Sequence, residues 1–155
     1  MTVPPAALDH AAIAARIPHR DPMCLLHSLL DWSADDIRCA IVNHADLAHP
    51  LRSAGGLLAP CAIEYAAQAM ALHAALCAGD DAAPVPGFLA SARAVRLHAA
   101  RLDDAPGPLQ VLAVRQAAAR DQALYRFELR DASGRLLVDG RAAVVLNTPL
   151  RVGAR

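Results

Sequence analysis

Between Arg52 and Asp80 the chain carries one charged side chain, Glu64. So long an apolar stretch must be buried, and the rest of the sequence has to supply what buries it. Pro60 suits a first helical position and Gly79 a helix stop, so residues 60–78 read as one helix. Its sides are almost all apolar or small, with Ile63, Ala66, Ala67, Met70, Ala71 and Ala74 spread around the axis. A membrane span needs about 20 apolar residues, and Glu64 interrupts this run near its start. The helix therefore reads as the buried centre of a globular domain, and no membrane association is expected.

The remainder supplies strands. Residues 8–17 read as a short helix closed by Pro18, 23–30 and 37–42 as strands, and 43–59 as a long irregular connection. Beyond the helix, residues 88–99, 109–117, 124–130 and 135–146 read as strands, separated by loops at 79–87 and 103–108. Tyr125, Phe127 and Leu129 share one face of their strand, Arg126, Glu128 and Arg130 the other, and residues 131–134 form a hairpin turn. No linker divides the chain. The pattern is α+β, an antiparallel sheet around one helix, in a single domain over residues 1–155 with its core at about 13–147.

Composition narrows the function classes. Fifteen basic residues balance fifteen acidic ones, which removes the basic excess that nucleic-acid binding requires. The four cysteines form no C-x-x-C pair, so reduced thiols and a cytoplasmic protein are expected. Residues 1–15 hold no basic cluster ahead of an apolar run, and no secretory signal is expected.

Only two glutamates occur. Glu128, between two arginines on a polar strand face, reads as a surface charge. Glu64 lies in the most apolar window, four residues before Gln68 and on the same helix face. Burial raises the pKa of such a carboxyl, so Glu64 is expected to stay protonated and to donate a proton. His44 and His49 lie in the connection ahead of the helix, and a loop histidine is the usual general base. No metal-ligand spacing, phosphate-binding glycine loop or nucleophile elbow is present, and neither metal nor cofactor is expected.

Two motifs carry a resemblance. Residues 17–26, Ile-Pro-His-Arg-Asp-Pro-Met-Cys-Leu-Leu, resemble the opening motif of the beta-hydroxyacyl-acyl-carrier-protein dehydratases of the hotdog fold. Residues 63–70, Ile-Glu-Tyr-Ala-Ala-Gln-Ala-Met, are similar to that family's helix motif. The nearest likeness is to the dehydratase-like proteins of aryl-polyene pigment synthesis. The resemblance implies dehydration of a (3R)-3-hydroxyacyl thioester on an acyl carrier protein. It assigns Glu64 as the acid, His49 as the base, Gln68 as a support for Glu64, and the Ala59 N–H as donor to the thioester carbonyl. His49 stands one residue further from Glu64 than in the family, while Asn43 keeps the family distance. A homodimer or higher homo-oligomer is implied, with His and Glu from different subunits, or a hetero-oligomer with another hotdog subunit. A non-catalytic acyl-binding subunit and an acyl thioesterase are the alternatives on this fold. Arg93 and Arg96 are candidates to meet an acidic carrier protein.

Overall fold

The computed structural model describes residues 8–79 and 87–146. The loop expected at 79–87 lies almost wholly outside them. The order is α1 (His10–Ala14), β1 (Ser28–Trp32), β2 (Asp36–Ile41), a 3-10 turn (Ala59–Cys61), α2 (Ala62–Ala78), β3 (Gly87–Leu97), β4 (Leu109–Ala118), β5 (Gln122–Arg130) and β6 (Leu136–Leu146). The six strands form one antiparallel sheet in the order β1-β2-β4-β5-β6-β3, which leaves β1 and β3 at its edges.

Alternation along the strands builds the core. On β5, Ala123, Tyr125, Phe127 and Leu129 are buried, while Arg126 reaches Glu128 at 3.1 Å on the other face. Arg130 reaches the same carboxylate at 3.2 Å, so Glu128 is the surface charge the sequence implies. Leu109, Val111 and Ala113 of β4 and Ile37, Cys39 and Ile41 of β2 extend this apolar face. Against it lie Tyr65, Ala66, Ala69, Met70 and Leu72 of α2. Alanine at 62, 66 and 69 lets the sheet come close to the helix axis. At mean hydropathy 1.2 the segment Ala59–Ala78 is long and apolar enough to cross a membrane, yet here it is the core helix of the sheet.

Three expectations need correction. The first strand begins at Ser28, not at residue 23, because the backbone of Met23 and Leu25 bonds to the Gln68 side chain instead of to a neighbouring strand. The first helix spans His10–Ala14, capped by Asp9 accepting the Ala12 N–H, and only turns continue to Ile17. Residues 59–61 form a 3-10 turn, so α2 starts two residues after Pro60. Asp131 closes the β5–β6 hairpin by accepting from the Ser133 and Arg135 backbone, and Gly134 takes a φ of 87°. All four cysteines are free thiols.

His73 is wholly buried inside the sheet. Tyr125 Oη lies 2.7 Å from its Nδ1 and the Ser33 carbonyl 2.8 Å from its Nε2. The carbonyl can only accept, so Nε2 carries the hydrogen and the tyrosine hydroxyl donates to Nδ1. Desolvation lowers the pKa of His73 from 6.5, and that of His49 likewise. Below pH 6.5 the unfolded chain therefore binds protons that these folded histidines refuse, and their stabilisation is lost as pH falls. His10, raised by the Leu26 carbonyl and Asp21, acts in the opposite sense. Thermal melts should show a lower Tm at pH 5 than at pH 7, and His73→Gln should flatten that dependence.

Candidate active site

The site is organised by an amide. Gln68 is wholly buried on α2, and its Oε1 accepts the Leu25 N–H at 2.8 Å. That fixes its Nε2 as the donor, to the Met23 carbonyl at 2.7 Å and to Glu64 Oε1 at 3.0 Å. The segment bearing Pro18-His19-Arg20 is thereby tied to the first turns of α2. His19 Nε2 then lies 3.2 Å from Glu64 Oε1.

These groups stand at one wall of a pocket of about 210 Å³. Pro18, His19 and Glu64 form the polar end; Ala67, Ala71 and Ala74 form a small-residue floor along α2. Phe88, Leu89, Val144 and Leu146 from the ends of β3 and β6 form the apolar side. The lining suits an apolar chain with a polar group beside Glu64.

Glu64 is not the buried, protonated acid expected from the sequence. A third of its side chain, 34%, is exposed. The His19 contact, seconded by the Gln68 hydrogen bond, outweighs desolvation and moves its pKa below the ordinary 4.5. In the open pocket it is a carboxylate.

His49 is placed elsewhere. It is 5% exposed, its Nδ1 accepts the Leu51 N–H at 3.0 Å, and its Nε2 lies 2.8 Å from Tyr65 Oη. Tyr65 in turn donates to Asn43 Oδ1 at 2.8 Å. Tyr65 follows Glu64 on α2 but is wholly buried, whereas Glu64 lines the pocket, so one chain does not bring His49 to the pocket. His44 Nε2 donates to the Ala105 carbonyl at 3.0 Å, and the ring packs where a Cβ at Gly107 would stand. The Ala59 N–H donates to the Ala100 carbonyl at 3.0 Å and Ala59 is wholly buried. The expectation that this N–H faces a thioester is corrected: the backbone bond already uses it. Arg96 pairs with Asp139 at 3.0 Å on the outer sheet face.

Sequence reasoning singled out neither His19 nor the Tyr65–Asn43 pair as site residues. The signal for His19 was its place in Pro18-His19-Arg20, and for Asn43 its spacing to Glu64. Among the described residues, one group has metal-type ligand atoms within 4.8 Å of one another, His10, Asp21 and Cys24. There His10 Nε2 already pairs with Asp21 at 2.9 Å.

A sheet wrapped on one long helix, with the catalytic-type groups at the helix start, is the hotdog fold, shared by dehydratases and thioesterases. Residues 11–151 match the model of the ApeP-like family, ApeP dehydratase, and the chain belongs to that family. It is similar to the dehydratase heterocomplex ApeI:P from Xenorhabdus doucetiae at 23% identity and TM-score 0.76, over 90% of this chain and 91% of that one. AziG from S. sahachiroi matches at 20% identity and TM-score 0.53, over 76% and 88%. A thioesterase from Haemophilus influenzae matches at 13% identity and TM-score 0.56, over 79% and 80%. No curated protein sequence matches the chain.

Replacing the buried amide tests the frame of the site. Gln68→Met leaves the Leu25 N–H and Met23 carbonyl unpaired, and should lower the unfolding free energy by about 2–4 kcal/mol in chemical denaturation.

Proposed function

We propose that the protein dehydrates a (3R)-3-hydroxyacyl thioester, carried by an acyl carrier protein, to the trans-2-enoyl thioester in a cytoplasmic fatty-acid or polyene-type synthesis. The observation that carries this reading is Glu64 at the polar end of an apolar pocket in a dehydratase-family chain. Glu64 is the acid that protonates the departing C3 hydroxyl. Its carboxylate in the open pocket takes a proton once the acyl chain and a second subunit displace water, because desolvation favours the neutral form. His49 is the base that removes the C2 proton, reaching the Glu64 of another copy across a dimer. Gln68 supports Glu64 throughout.

A second reading has a specific observation behind it. Both ring nitrogens of His49 are bonded within its own chain. The chain would then supply Glu64 to a mixed assembly in which a different hotdog subunit supplies the base, and the similar Xenorhabdus protein is a heterocomplex. The long edge strand β3 beside the open floor of α2 is the surface for either kind of partner.

Incubation with a 3-hydroxyacyl carrier-protein thioester tests these readings. Enoyl product without free thiol supports dehydration, and free thiol in its place would establish hydrolysis instead. Glu64→Gln should lower turnover by about 10²–10⁴-fold with the fold intact. His49→Gln should cost as much if His49 is the base. Full activity of that variant in a mixed assembly would assign the base to the other subunit.

A further inference from the structure

Two nitrogens converge on one oxygen of Glu64, the Gln68 amide by a hydrogen bond and the His19 ring by an ion-pair contact. The Gln68 amide cannot turn around, because its own oxygen is held by the Leu25 N–H, so it can only donate to Oε1. His19 Nε2 approaches that same atom at 3.2 Å. The other ring nitrogen, Nδ1, is covered and has no hydrogen-bond partner among the described residues. A hydrogen there would be an orphaned buried N–H, which folded proteins rarely tolerate, so the ring hydrogen belongs on Nε2, the nitrogen that faces Glu64. Oε1 is thus committed as an acceptor, while Oε2 makes no hydrogen bond among the described residues.

We propose that His19 is a positioning residue for Glu64: with the Gln68 amide it holds Oε1, assigns the transferable proton to Oε2, and sets the strength of the acid. The proposal rests on Glu64 being the proton donor in dehydration. In that step the Oε2–H bond breaks and the proton joins the C3 hydroxyl. The C3–O bond breaks with its electron pair, releasing water; the C2–H pair becomes the C2=C3 bond as the base takes the C2 proton. The new charge on Glu64 forms between two donors already in place, so little reorganisation is needed when it appears. A free carboxyl could rotate and offer either oxygen. Among the described pocket-lining residues from α2, β3 and β6 and from the segment before β1, His19 and Glu64 alone are titratable.

The scarcity of glutamate makes the test clean. Protein labelled with carbon-13 at the glutamate carboxyl gives two signals, from Glu64 and Glu128, assigned with the Glu64→Gln variant. In His19→Leu the Glu64 titration should move to higher pH, and in His19→Gln, which keeps an N–H donor, it should return towards the parent position. The Glu128 signal, held by Arg126 and Arg130, should stay where it is and so report an intact sheet. The high-pH limb of kcat should follow Glu64 upward in His19→Leu, with KM unchanged. An unmoved Glu64 titration in folded His19→Leu overturns the proposal. Should His19→Leu fail to fold, His19→Asn, whose shorter amide cannot span the same gap, replaces it with the same expected rise. If Glu64 titrates as expected but Glu64→Gln dehydrates at the parent rate, the positioning stands and the assignment of Glu64 as acid falls.

Discussion

The Gln68 amide is the contact on which the site depends. It is wholly buried, its oxygen accepts from Leu25, and both its N–H groups are used, one to Met23 and one to Glu64. A buried amide left unpaired is costly, so these three partners are effectively obligatory. They join two distant parts of the sequence, the segment leading into β1 and the start of α2. The same contact delivers His19 to Glu64 and keeps Glu64 at the pocket wall. The fold and the chemistry therefore share one side chain.

The apolar helix explains the pocket. One side of α2 carries Tyr65, Met70 and Leu72 into the core of the sheet, and the other presents Ala67, Ala71 and Ala74. Alanine on the open side leaves room where larger residues would fill it. Among the described residues, only the ends of β3 and β6 reach that side, as the pocket wall, and the edge strand β3 is itself largely exposed. The His19 contact and the Gln68 hydrogen bond outweigh the partial desolvation beside this floor, so Glu64 is a carboxylate in the single chain. Whatever covers the floor also changes the acid, because removal of water favours the protonated form.

Much of this was legible in the sequence. The four strands after residue 87 were legible, alternation gave the two faces of residues 124–130, and Glu128 was placed among its arginines correctly. The i, i+4 spacing put Gln68 against Glu64, as the hydrogen bond between them confirms. Three things were not legible. The strand expected from residue 23 failed because its backbone bonds to a side chain 43 residues away, which no local pattern reports. The protonation of Glu64 was misjudged because His19, distant in sequence, outweighs desolvation. The place of His49, which the family resemblance assigns as base, was not legible either: only the packed structure shows that its ring bonds to Tyr65, which turns inward while Glu64 turns outward.

The most direct measurement runs the reaction backwards in heavy-oxygen water. The protein, alone and mixed with a second hotdog subunit, is given a trans-2-enoyl carrier-protein thioester, and the products are read by mass spectrometry. The account predicts heavy oxygen in a C3 hydroxyl of an intact thioester, lost in Glu64→Gln. Heavy oxygen in the carboxylate of a released acid would contradict it, and would make this pocket a site of hydrolysis.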